Sequence, residues 1–222
     1  MAPTILNTMK REWWNLAIIA VAFISIPLIW DFVPEQVPVH FNLQGEVDRY
    51  GSKATGLLTI PCVALLVYLI AIIAPLIDPK KRIEVDQKPM PAVRTIITFF
   101  LMAIQGMVLA AIFGDPSFTE DYLYLVMLAL FMVMGNFMGT IKPNYFIGVR
   151  TPWTLEDPDI WKKTHRATGK VWMGLAAIMI VVYFLAGTEI LRMAFGPAVA
   201  VFALFPFGFS YYLYQTRTVE AG

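Results

Sequence analysis

Six apolar stretches, each long enough to cross a lipid bilayer, constrain this chain more than any other feature. They run from Trp13 to Trp30, Ala54 to Ile77, Thr95 to Phe113, Tyr122 to Ile141, Val171 to Gly187 and Met193 to Tyr214. A helix of roughly 20 residues covers about 30 Å of hydrocarbon. Lipid cannot hydrogen-bond a backbone, so each stretch must satisfy its own amides and carbonyls, and a helix does so. The expectation is an all-α integral membrane protein with six transmembrane helices. Composition agrees, at 58% hydrophobic and 15% charged residues, far from the balance of a soluble domain. Lys10 and Arg11 precede the first run as in a secretory signal. That run continues into IPLIWDF without a small-residue cleavage pattern, so it reads as a retained span.

The basic residues orient the spans. Of 17 Lys and Arg, only Arg49, Lys53 and Arg192 fall on one side, and the other fourteen fall on the opposite side. The positive-inside rule places the richer side in the cytoplasm, and with it both termini. The loop between spans one and two then faces outward, and the loop between spans four and five faces inward. All six Trp residues lie at span ends or in the inward loop, as expected of headgroup anchors. A net charge of +1 offers no concentrated basic face, so direct nucleic-acid binding is not expected. Cys62, the single cysteine, excludes an intrachain disulfide and reads as a small buried filler.

Pro27, Pro61, Pro75, Pro197 and Pro206 lie within the apolar runs. They read as kinks, because neighbouring helices can satisfy the carbonyls that proline frees. GNFMG, from Gly135 to Gly139, has the small-residue spacing of a close helix crossing. The chain divides into an N-terminal two-span region, 1–93, with an outward loop at 31–53, and a four-span region, 94–222, with a cytoplasmic loop at 142–170. Cut instead after the third span, it gives two three-span halves. KATG at 53–56 and RATG at 166–169 occupy comparable places in those halves, the pattern of a 3+3 inverted repeat.

The outward loop, VPEQVPVHFNLQGEVDRYGSK, carries prolines that oppose helix and glycines that allow turns, so an irregular hairpin is expected. His40, Asn42, Glu46 and Asp48 either surround a cation or polar ligand or satisfy the loop itself; one His with scattered carboxylates lacks zinc spacing. In the inward loop, Asp157-Pro158 marks a helix start. The segment DIWKKTHRATGK puts Ile160, Trp161, Thr164 and Ala167 on one face and Lys162, Lys163 and Arg166 elsewhere, a short interfacial helix leading into span five. Arg150, in a tight GVRTP turn, is the residue expected to hold the loop together through its planar guanidinium. No HExxH, Walker A, GxSxG or CxxC motif is present, and no catalytic residue, metal site or cofactor is expected. Inside the spans, Gln105 and Asn136 are polar but neutral, which weighs against a coupled transporter.

The two loops together resemble a known family. NYFIGVRTPWTLEDPDIWKKTHRATG is similar to the signature of the SdpI family through Asn144, Gly148, Arg150, Thr151, Pro152, Trp153, Thr154, Trp161 and His165. The outward segment resembles the family's N-terminal domain through Pro38, His40, Phe41, Asn42, Gly45, Asp48, Gly51 and Lys53. The resemblance implies a multi-pass protein of the cell membrane that confers immunity to a secreted peptide toxin on the outer side. It also implies a receptor and signal transducer that sequesters a cytoplasmic repressor on the inner side. A small-solute or ion transporter or channel is the alternative from another class.

Overall fold

A computed structural model describes residues 5–42, 46–76, 90–114 and 116–220. The chain is mostly helical and groups into two compact units, Met1–Ile73 with Met90–Met127, and Ala74–Pro89 with Leu128–Gly222. The basic run at 80–82, Lys88 and Gly45 lie outside the described residues.

In the first unit, α1 (Ile5–Arg11) turns at Glu12 into α2 (Trp13–Ile29). Strands β1 (Gln36–Phe41) and β2 (Val47–Ser52) form an antiparallel hairpin with irregular register around His40. Helix α3 (Lys53–Ile73) follows at once, then α4 (Met90–Phe113). The expected hairpin is therefore an ordered two-stranded ribbon, a small β element in an otherwise helical protein. Val37, fully buried, plugs it onto Ile26, Val33 and Leu57. Gly56 permits this approach, because a Cβ there would lie 2.4 Å from Val37 Cγ2. Further along the same helices, Ile19, Ala64, Tyr68 and Ile72 form a second cluster, joined from α4 by Leu101 and Met102.

Helix α5 (Pro116–Met138) leads into the second unit, followed by α6 (Pro152–Glu156) and the helical run α7 (Pro158–Glu220). That run breaks at Gly187, where φ is 80° and ψ 179°. Asp157 meets Arg217, and Trp172 meets Phe202. Each pair is symmetric about Gly187, so α7 is a helical hairpin of two antiparallel limbs. The reversal falls where the fifth apolar stretch was read to end. The first limb runs unbroken from Pro158, so the expected interfacial helix is simply its beginning.

The expected glycine crossing is present. A Cβ on Gly169 would sit 2.5 Å from the Gly135 carbonyl oxygen, and one on Gly135 would sit 2.9 Å from the Gly169 oxygen. Only bare backbone allows α5 and α7 to approach so closely. Pro206 shows how a membrane helix tolerates proline. Its missing N–H leaves the Phe202 carbonyl, four residues earlier, without its helical donor. The Trp172 indole from the opposite limb donates to that oxygen at 3.0 Å, and Phe131 stacks on Phe202 with ring centroids 3.9 Å apart.

Three expectations need correction. Pro75 does not kink a continuing helix; it sits in a 3-10 turn, Ala74–Leu76, that ends α3. Cys62 is exposed on the face of α3 rather than buried. Trp161 is 1% exposed, a core residue rather than a headgroup anchor. Elsewhere the helices present bare hydrocarbon outward, with Leu28 72%, Phe184 74% and Leu185 83% exposed. Such faces are untenable in water and expected against lipid. Among the described residues, Trp13–Phe32, Lys53–Ile73, Met90–Phe113 and the broken run Pro158–Arg217 are long and apolar enough to cross a membrane. The protein is a multi-pass membrane protein.

Candidate functional site

The signature loop of the second unit is fastened from within. Asn144 is buried, and its side-chain oxygen accepts the amides of Phe146 and Ile147, both at 2.8 Å, while its nitrogen donates to the Lys142 carbonyl. One amide side chain thus folds the first turn. Gly148 follows with φ 105°, in the region that favours glycine. The turn delivers the Val149 N–H to His165 Nε2 at 3.0 Å. With Nε2 accepting, Nδ1 must carry the proton and donate to the Trp161 carbonyl at 2.8 Å. The ring stacks on Trp161 at 4.1 Å, and the Trp161 indole donates to the Ile141 carbonyl at 2.8 Å. Burial drives the His165 pKa down to about 4, although its bond to the Trp161 carbonyl opposes this. His165 precedes the apolar span that begins at Val171 and serves here as a neutral acceptor.

The next turn is a capping box. Thr151 accepts the Thr154 amide, and Thr154 Oγ1 accepts the Thr151 amide at 2.9 Å and donates to the Val149 carbonyl at 2.8 Å. Pro152, at the first helical position of α6, is exposed. Trp153 packs on Tyr211 and Tyr214 of the second limb, with centroids 5.5 and 5.8 Å away. Asp157 caps the first limb of α7 by accepting the amides of Asp159 and Ile160, and it pairs with Arg217. Partial burial would raise the Asp157 pKa, yet those two amides and Arg217 hold it below its usual value. Of the face read from the pattern, Ile160, Trp161 and Thr164 are buried and Ala167 half-buried, while Lys162, Lys163 and Arg166 are exposed; His165 is buried beside that face and Lys170 is exposed.

Arg150 plays a smaller part than expected. Its side chain is exposed and reaches back to donate to the Tyr145 carbonyl. The loop is held by the buried set Asn144, Thr151, Thr154, Trp161 and His165, whose side chains bond the loop's main chain and, for the two threonines, each other.

The outward motif residues occupy the ribbon of the first unit. His40 Nδ1 lies 2.6 Å from Asp48 Oδ1 across the strands, both exposed. Asn42 and Glu46 close the turn reciprocally, at 3.0 Å for each bond. Lys53 bonds Glu35 at 2.8 Å and lies over the Trp30 ring. Gly51 makes room for Val39, whose Cγ1 would be 2.9 Å from an added Cβ. Pro38 and Phe41 are half-buried strand residues. No cluster of three His, Cys, Asp or Glu suited to a metal occurs among the described residues. His40 with Asp48, Asn42 with Glu46 and Glu35 with Lys53 thus satisfy one another in pairs.

One feature was missed from sequence. Arg94 grips Glu12 bidentately, at 2.9 and 2.5 Å, with both side chains 2% exposed. Asn15, Tyr68 and Thr98 are buried in the same unit, and Arg94 Nη1 has no hydrogen-bond partner among the described residues. A carboxylate and a guanidinium, each at the end of an apolar run, were the available signal, but charge counting treats such residues only as flanks.

Residues 140–210, which span the signature loop and most of the helical hairpin, match the SdpI/YfhL protein family. Residues 17–65, which bracket the ribbon, match a domain of unknown function, DUF1648. The chain is 23% identical over 184 residues to the Immunity protein SdpI of Bacillus subtilis (strain 168), covering 82% of this chain and 86% of that one. No solved structure matches. The inward signature loop lies in the region similar to the SdpI/YfhL protein family, and the outward loop lies in the region similar to DUF1648.

Proposed function

We propose that this protein confers immunity to a secreted peptide toxin at the cell membrane. The toxin is met on the outer side by the ribbon of residues 31–53, and a cytoplasmic repressor is sequestered by the loop of residues 142–170. The observation that carries this reading is the similarity to Immunity protein SdpI across both loops. The associated topology has six spans, with Tyr122–Met138 and the two limbs of α7 completing the set, both termini inside and the three-span halves inverted. It is supported by the bias of basic residues. Within the motifs, the exposed groups are the ones a partner can reach: Arg150, Pro152 and the face from Lys162 to Lys170 on the inner side, and the His40–Asp48 pair on the outer side. The test is expression in a toxin-sensitive cell followed by challenge with candidate peptides from the toxin locus. Survival is expected with wild type and reduced survival with the double variant H40A/D48A, whereas unchanged killing by every candidate refutes immunity.

A small-solute or ion transporter is the second reading. It is favoured by the buried Glu12–Arg94 pair and by the buried polar residues Asn15 and Thr98 of the same unit, since charge buried among spans often marks a path. Solute or ion flux in vesicles that disappears in E12Q would support it over immunity.

A further inference from the structure

The second unit contains a cavity of about 440 Å³, within the size range of small-molecule sites. Met138 of α5, Trp172 of the first limb, and Phe202, Pro206 and Phe207 of the second make its wall apolar. Gly148 and Val149 of the signature loop contribute backbone at one end, and of the lining residues Arg150 alone is charged. Arg150 makes one hydrogen bond, to a main-chain oxygen, so most of its five donors remain available. Leu204 and Phe207, on the limb that walls the cavity, are 67% and 56% exposed, which puts the cavity beside a face suited to lipid.

We propose that this cavity is a binding site for one anionic phospholipid of the surrounding membrane, with an acyl tail against Trp172, Phe202 and Pro206 and the phosphate on Arg150. The chemistry of the wall selects this occupant. An apolar slot ended by a planar cation matches an amphiphile with an anionic head, and guanidinium binds phosphate bidentately. The exposed Lys162, Lys163, Arg166 and Lys170 on the first limb add a field of the same sign. Methionine at the wall adapts to a flexible tail. Occupancy would also touch the loop's fastening, because Val149 both lines the cavity and donates to His165.

The experiment is native mass spectrometry of the purified full-length protein titrated with palmitoyl-oleoyl phosphatidylglycerol or the corresponding phosphatidylcholine. Wild type is expected to hold one phosphatidylglycerol at least about tenfold more tightly than phosphatidylcholine. R150Q should lose that preference and R150K retain part of it. A203F, which fills the apolar slot and leaves Arg150 in place, should lower occupancy by both lipids. Equal binding of the two lipids by wild type, or an undiminished preference in R150Q, overturns the proposal. If R150Q does not fold, undiminished phosphatidylglycerol binding by folded A203F overturns it instead. The readout needs no toxin, so its failure and the failure of immunity are separate results.

Discussion

Gly148 and Gly187 offer a matched pair for testing how the signature loop is held. Both have positive φ, 105° and 80°, but a Cβ at Gly187 meets nothing within 4 Å whereas one at Gly148 falls 2.4 Å from His165 Nε2. Gly187→Ala therefore incurs only the backbone penalty of an alanine at positive φ, about 1–3 kcal/mol. Gly148→Ala incurs the same penalty and also displaces His165 from the Val149 amide, a buried bond of 3.0 Å. A buried donor left without a partner costs about 1–3 kcal/mol, so the total is roughly 2–6 kcal/mol. For a chain of this size 1 kcal/mol moves the melting midpoint by about 2–4 °C. Thermal unfolding in detergent should therefore show Gly148→Ala melting about 2–12 °C below Gly187→Ala. Equal midpoints would refute the claim that the His165–Val149 contact organises the loop.

The same assay addresses three other contacts. Glu12→Gln leaves the Arg94 charge buried and unpaired and should destabilise by about 3–5 kcal/mol, while the double variant Glu12→Leu with Arg94→Met should recover most of that loss. Trp172→Phe removes the donor to the Phe202 carbonyl, costing about 1–3 kcal/mol. Adding Pro206→Ala restores a helical N–H to that oxygen, so the double variant should be less destabilised than the sum of the singles. His165 is neutral when folded, with a pKa of about 4 against 6.5 for the free side chain, so the unfolded chain binds the extra proton first. The stability it contributes is complete above about pH 6.5 and is lost as pH falls toward 4, by roughly 3 kcal/mol in total. His165→Gln should flatten that part of the stability profile.

The apolar runs were legible because a bilayer admits so few backbone solutions, and so was the turn at Gly187, where hydropathy lapses. The Asp157 cap and the close crossing at Gly135 were legible because each is a local rule written in two or three residues. The rest depended on distant partners. Glu12 and Arg94 are 82 positions apart, and each alone reads as a flanking charge. Trp161, in the inward loop, reads as a headgroup anchor, but the Ile141 carbonyl and the His165 ring give it a buried berth. Arg150 is favoured by its chemistry, yet the main chain on either side of it is already held by Asn144 and by the Thr151–Thr154 box.

That division has a consequence for how the loop can work. Asn144, Thr151, Thr154, Trp161 and His165 spend their polar atoms on one another and on nearby main chain. They cannot bind a partner without opening the loop, and their role is to hold a fixed shape. Recognition then falls to the side chains that this shape displays, Arg150 foremost, and to the basic face from Lys162 to Lys170. The two classes should separate in experiment. Conservative changes in the buried set should lower stability and every activity together, while R150Q should leave the melting midpoint within about 2 °C, as expected of an exposed side chain, and change only what the loop binds. A large loss of stability in R150Q would return Arg150 to the fastening and leave the cavity without its reader.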